Sequence, residues 1–241
     1  MNAVDFFILL PPSEGKAEGG AVRTKWAPDS GVFGAAFGND RIEIAQRLLA
    51  MKGGDQKLLG VKGAHLDRAQ SANRTLLGSP TLPAWQRYTG VVWDHLGLST
   101  LTAAQRNASV KRIFVPSGLL GMVRADDPIP DYRLKMGARV APFGLMSTWW
   151  SEDLTNAFGH HVKKRVVVDL LPQEHRAAMN SHSLPTLIRV DLVSKVGKVV
   201  GGHNAKAAKG LLARHLLTSG QSIESSIASF DHPEYRAVIA K

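Results

Sequence analysis

Five consecutive apolar residues, Phe6-Phe7-Ile8-Leu9-Leu10, run straight into Pro11-Pro12. An unbroken apolar run of that length is a buried strand, and the prolines end it because they cannot continue a ladder. Comparable runs recur at Ile113-Phe114-Val115, closed by Pro116-Ser117-Gly118, and at Val166-Val167-Val168-Asp169-Leu170. Leu187–Val193 and Lys198–Val200 suggest a further pair joined near Gly197. Between them lie helical patterns. Arg41–Met51 carries Ile42, Ile44, Ala45, Leu48 and Leu49 on one face, with Asp40 as its N-cap and Gly53-Gly54 as its stop. Thr100–Ser109, Trp149–Phe158 and Ala205–Thr218 follow. In the last, Leu211, Leu212, His215 and Leu216 form the inner side and Gly220 the end. Trp85–Trp93 suits helix or strand, whereas Ser13–Gly38 and Asp126–Met136 are expected to be loops. Strands separated by helices predict an α+β or mixed α/β protein, a single domain over residues 1–241 whose mixed central sheet is covered by helices.

Charge and cysteine content narrow the chemistry. Thirty Lys and Arg against 20 Asp and Glu leave a net charge of +10, which draws an anionic partner at low salt. The chain has no Cys, so disulfides, thiolate catalysis and Cys-held metal are excluded. The first apolar run is too short for a membrane span and has no basic segment before it, so a soluble cytoplasmic protein is expected. The nine His form no metal-binding signature, and neither a metal nor a cofactor is expected. His160-His161 is expected in a loop after a helix, and Trp85, Tyr88, Trp93, Trp149 and Trp150 are core candidates. Tyr88-Thr89-Gly90 has the alternative of exposing a ring for base stacking.

Four segments are candidates for function. Gly60-Val61-Lys62-Gly63, between two short helical stretches at about residues 55–77, has the form of a helix-hairpin-helix turn. Its glycines let the backbone approach a phosphate, the next helix begins with unpaired N–H groups, Lys62 adds charge and Arg68 reaches a neighbouring phosphate. An ordinary αα-hairpin needs the same glycines. The second candidate is His203-Asn204 before Lys206 and Lys209, a capped helix start with two lysines on one face, for phosphate or for solvent. Third is Ser13-Glu14-Gly15-Lys16, leaving the end of the first strand. It lacks the glycines of a nucleotide-hydrolysing loop, but Lys16 is placed to meet an anion. Fourth is the stretch from Ser117-Gly118 through Arg124, Asp126, Asp127, Asp131, Tyr132 and Arg133. It is either a pocket wall, with Asp127 or Tyr132 moving a proton, or a set of ion pairs joining Arg124 to Asp127 and Arg133 to Asp131 or Asp126.

Taken together, the segments LLPPSEGK (9–16), YTGVVWDHL (88–96), SGLLGMVRADDPIPDYRLKMG (117–137), TWWSEDL (148–154), VVVDLLPQEHRAAM (166–179) and HNAKAAKG (203–210) make the chain resemble the YaaA peroxide-stress protein family. The resemblance runs in order over nearly the whole length. It implies a fold peculiar to that family and a cytoplasmic DNA-binding protein of the hydrogen peroxide response, with a helix-hairpin-helix and a basic cleft, that helps limit free iron. The family's polar motifs fall on Ser13, Lys16, Tyr88, Thr89, Gly90, Ser117, Gly118, Arg124, Asp127, Tyr132, Arg133, Asn204, Lys206 and Lys209. Two expectations follow: a DNA-binding protein of weak sequence selectivity, or an enzyme acting on a phosphate-bearing or nucleotide-like molecule.

Overall fold

A computed structural model describes residues 6–184, 186–195 and 202–240. The first apolar run is strand β1 (Phe6–Leu9), buried along its length. Two strands, β2 (Gly15–Lys16) and β3 (Ala21–Lys25), occupy the stretch expected to be loop. Helix α1 spans Gly34–Ala50, so Asp40 lies inside it and caps nothing. The glycine-rich sequence hid this start. A Cβ on Gly34 would collide with the Asp29 carbonyl, while Phe33 and Phe37 stack at 5.6 Å in the core. That burial outweighs the weak helix propensity of glycine. The expected hairpin is α2 (Gln56–Leu59) and α3 (Ala64–Arg74), with Asp55 capping α2 through the Leu58 N–H.

The stretch around Trp85–Trp93 is neither one helix nor one strand. After β4 (Pro80–Pro83), it divides into α4 (Ala84–Arg87), β5 (Tyr88–Thr89) and α5 (Val91–Leu96). A Thr102–Gln105 capping box then starts α6 (Ala103–Val110). Next come β6 (Ile113–Ser117), β7 (Gly121–Arg124), β8 (Pro128–Ile129), β9 (Arg139–Val140), β10 (Gly144–Leu145) and α7 (Met146–Val162). His160 and His161 belong to the last turn of α7 and not to a loop. The His161 ring packs against Phe7, Phe33 and Phe114. The chain continues through β11 (Val166–Asp169), α8 (Gln173–Arg176), β12 (Leu187–Ser194), α9 (Gly202–Thr218), α10 (Ile223–Ala228) and β13 (Tyr235–Ile239). The strand expected at 198–200 lies outside the described residues. Asn204 stands within α9 and does not cap it, and Leu211 faces outward at 38% exposed.

The main sheet has the order β13-β12-β11-β1-β6-β7. Its four inner strands are mutually parallel, and β7 and β13 add antiparallel edges. The sheet is mixed and helices cover it, as the strand–helix alternation predicts. Because β1 is flanked by β6 on one side and β11 on the other, the chain reverses its direction of travel across the sheet there. Such a reversal opens a crevice beyond the C-terminal strand ends. Small residues bring cover close: a Cβ on Gly210 of α9 would strike the Val92 carbonyl of α5.

A buried arginine fastens the N-terminal half to this sheet. Arg41, 1% exposed, sends Nε to Leu120 O (2.9 Å), Nη1 to Pro28 O and Ser30 O (2.9 and 2.8 Å) and Nη2 to Met122 O (3.2 Å). Burial lowers its pKa to about 10, still charged at neutral pH. Arg41→Ala strands four carbonyls and is expected to destabilise the protein by about 3 kcal/mol or more in urea unfolding. Arg41→Lys should recover only part of that loss, because a single ammonium cannot reproduce the planar fork.

Candidate functional site: a basic cleft beside a helical hairpin

The cleft opens beyond the C-terminal ends of β1, β6 and β11, lined by Ser13, Glu14, Lys16, Tyr132, Arg133, Lys135 and His175 among others. At its base is a hydroxyl chain. Tyr132 Oη lies 2.7 Å from Ser117 Oγ and 2.9 Å from Tyr88 Oη, and all three residues are buried. Burial pushes the Tyr132 phenol up to about 12 and raises that of Tyr88 well above its usual value, so both remain protonated. The Tyr88 ring is therefore core and unavailable for base stacking. Trp93 and Trp150 are core as well, each donating its indole N–H to a backbone carbonyl, Pro11 and Gly118 respectively.

Lys16 lies over this pair. β2 pairs with β5 so that Lys16 opposes Tyr88, and Nζ sits 4.1 Å from the Tyr132 ring centroid and 5.6 Å from that of Tyr88. Nζ donates to Ser13 O at 3.0 Å. The side-chain hydroxyl of Ser13 in turn donates to Thr89 O. Burial is the main influence on the amine and lowers its pKa to about 7, with Asp131 and Glu14 pulling it up and Arg133 and Arg87 pushing it down. The other cations of the cleft are paired. Arg133 reaches Glu14 at 2.7 Å and Lys135 reaches Glu14 at 3.0 Å. Burial alone would raise the Glu14 pKa, but Lys135 and Arg133 together hold it below normal. Arg68 bonds Glu18 (3.1 Å) and Asp131 (3.0 Å), and Arg176 bonds the fully buried Asp169 (2.6 Å).

Arg133 also binds the hairpin to the cleft. Its Nε donates to Leu59 O at 2.8 Å, while its backbone N–H and C=O exchange hydrogen bonds of 2.9 Å with the buried Asn73 amide of α3. Arg68 completes the joint by donating to Lys16 O at 2.7 Å. The hairpin turn is thereby fixed beside the cleft, with Gly60 left-handed (φ 64°) next to Lys135 Nζ. Gly63 (φ 57°) opens α3, which has no side-chain cap. Gly60, Lys62 and Gly63 are exposed.

The remaining expected residues are spread more widely. Arg124 stands opposite Phe114, three residues back along β6 from Ser117, and pairs with Asp126 at 2.5 Å. The expected Arg124–Asp127 pair is absent because the Asp127 carboxylate instead accepts the backbone N–H groups of Arg124 and Val32, at 2.8 and 3.1 Å. Asp127 is buried, which raises its pKa, and it closes a turn against Gly31. Arg133 pairs with neither Asp131 nor Asp126. His203, Asn204 and Lys206 are exposed at the start of α9, where Asn204 bonds Glu234 at 3.2 Å. Lys209 is half-buried, and burial, joined by Arg176 and opposed by Asp169, lowers its pKa to about 8. The sequence patterns do not single out Asn73, Arg87, Lys135 or His175, and they give Glu14 no role of its own within its segment. Arg87, fully buried, latches the loop after Lys16 through Ala17 O and Gly19 O at 2.5 and 2.9 Å. Among the described residues no three His, Asp or Glu converge as a metal site, and no helix is long and apolar enough to cross a membrane.

Fold and site thus define a mixed α/β protein with a basic cleft at its strand ends and a helical hairpin clamped to the rim. The chain belongs to the family described as peroxide stress protein YaaA, whose model matches residues 6–239. Among its relatives, a UPF0246 protein of Streptomyces coelicolor is 32% identical over 90% of this chain and 85% of its own. A UPF0246 protein of Corynebacterium efficiens is 33% identical over 88% and 85%. An uncharacterised protein of Campylobacter jejuni is 26% identical over 85% and 82%.

The buried amine has a thermodynamic signature. Between about pH 7 and the ordinary lysine value of 10.5, the unfolded chain holds a proton on Lys16 that the folded one has released, so stability rises with pH across that window. Below pH 7 both states are protonated and the contribution is flat. Relative to Lys16→Met, the wild type is expected to gain up to about 1.4 kcal/mol per pH unit from pH 7 to 10 in denaturant titrations.

Proposed function

We propose that this is a cytoplasmic DNA-binding protein of the hydrogen peroxide response, gripping the phosphate backbone through its hairpin and the adjoining basic cleft. In that role it limits the damage that free iron and peroxide do to DNA and protein. The observation that carries the reading is the Gly60–Gly63 turn. It is exposed, opens an uncapped eleven-residue helix, carries Lys62, and is held by Arg133 against the cleft. Unpaired N–H groups at a helix start favour a phosphate oxygen, and a net charge of +10 favours the polyanion as a whole. Such contacts position DNA without reading bases, so sequence selectivity is weak.

The alternative, an enzyme for a phosphate-bearing small molecule, draws its support from Lys16 and Tyr132 in the cleft. It loses support from Arg124 and Asp127, which are occupied elsewhere. Fluorescence anisotropy with duplex, single-stranded and junction DNA at several salt concentrations tests the choice. Affinity should fall steeply with salt, and Lys62→Ala should weaken binding and flatten the log–log salt slope by about 0.9. Affinity that is flat with salt, or no binding by the folded protein, overturns the DNA reading and leaves the small-molecule one.

A further inference from the structure

Lys16 is the outlier among the cations of the cleft. Arg68, Arg133, Lys135 and Arg176 each have a carboxylate partner, but no carboxylate of the described residues lies within 4.0 Å of Lys16 Nζ. Lys16 is 9% exposed as a whole residue, its amine rests on two tyrosine rings, and the side chain lines the cleft together with Ser13, Arg133 and His175. A lysine that serves to hold phosphate needs its charge, and exposure to water secures it. Lys16 is placed where charge is disfavoured, and the surroundings leave a large fraction as free amine at neutral pH. Its backbone is fixed on both sides: β2 pairs with β5, and Arg68 holds the Lys16 carbonyl. Desolvation of this kind, in a pre-set position, is what turns lysine into a nucleophile for carbonyl carbon.

We propose that Lys16 is a nucleophilic amine that condenses with an aldehyde entering the cleft, and that on DNA this aldehyde is the ring-opened sugar of a site that has lost its base. The DNA part rests on the function proposed above, since the hairpin clamped next to Lys16 is what would bring a sugar–phosphate strand to it. The nitrogen lone pair adds to the aldehyde carbon, the carbonyl electron pair moves to oxygen, and that oxygen takes a proton while nitrogen sheds one. The carbinolamine then loses its hydroxyl as water, leaving an imine. Amine plus aldehyde gives imine plus water, so no oxidant or reductant is consumed. Oxidative damage to DNA is a general source of base-less sites.

The test is reductive trapping. Full-length protein is incubated with a duplex carrying a single base-less site and sodium cyanoborohydride, run on a denaturing gel, and the adduct mapped by peptide mass spectrometry. The expected result is a covalent complex mapped to Lys16, reduced about 100-fold or more in Lys16→Arg and in Lys16→Met. Mapping on the wild type does not depend on either variant folding. DNA binding by anisotropy without a trapped complex, or adducts scattered over surface lysines, overturns the inference and leaves the DNA reading standing. A parallel arm uses free 2-deoxyribose 5-phosphate. An adduct on Lys16 there, without any DNA binding, upholds the nucleophile and overturns the DNA reading.

Discussion

The exchange of hydrogen bonds between the Asn73 side chain and the Arg133 backbone is the joint on which the cleft depends. Asn73 is 1% exposed and also donates to Gly53 O at 2.8 Å, so one amide ties α3, the end of α1 and the segment after β8 together. With its backbone held, Arg133 extends its side chain to Leu59 O and the Glu14 carboxylate. Glu14 then neutralises Lys135 as well. A buried amide with an unmet donor or acceptor is costly, so this arrangement is stable only when complete.

Much of this is visible in the sequence, for a topological reason. Three of the inner strands, β1, β6 and β11, are short, apolar and parallel, so each announces itself, and the segments that follow their C-terminal ends reach the cleft. The segments after Leu9, after Val115 and after Val168 therefore contain both the family's motifs and the cleft residues Lys16, Tyr132 and His175. The hairpin was equally legible, because left-handed Gly60 and Gly63 leave few other conformations for the turn.

What escaped has physical causes too. Gly34 looks like a break, yet it is demanded by contact with the Asp29 backbone, and so the true start of α1 was missed. The two-residue strand β2 carries no periodicity at all; only its pairing with Tyr88 and Thr89 creates it. Sequence proximity is a poor guide to ion pairs, because the backbone competes for carboxylates. Asp127 caps two N–H groups and leaves Arg124 to Asp126, while Arg133 finds its acid in a different part of the chain. Asn73 and Arg87 are polar residues inside helices that bond backbone groups far away in sequence, Gly53 and Arg133 for Asn73, Ala17 and Gly19 for Arg87, a role with no local pattern.

The same clamp has a consequence for how the protein reaches its working form. Glu14 and Arg133 are separated by 119 positions, Ser13 and Thr89 by 76, and Arg68 and Asp131 by 63. Contacts spanning such distances require large loops to close before they contribute anything, and they slow folding. The turn between α2 and α3 is local, yet it too is fixed beside the cleft through the distant Arg133. In a nascent or partly unfolded chain the Lys16 amine therefore stays hydrated, and it is desolvated only when these distant segments have closed around it.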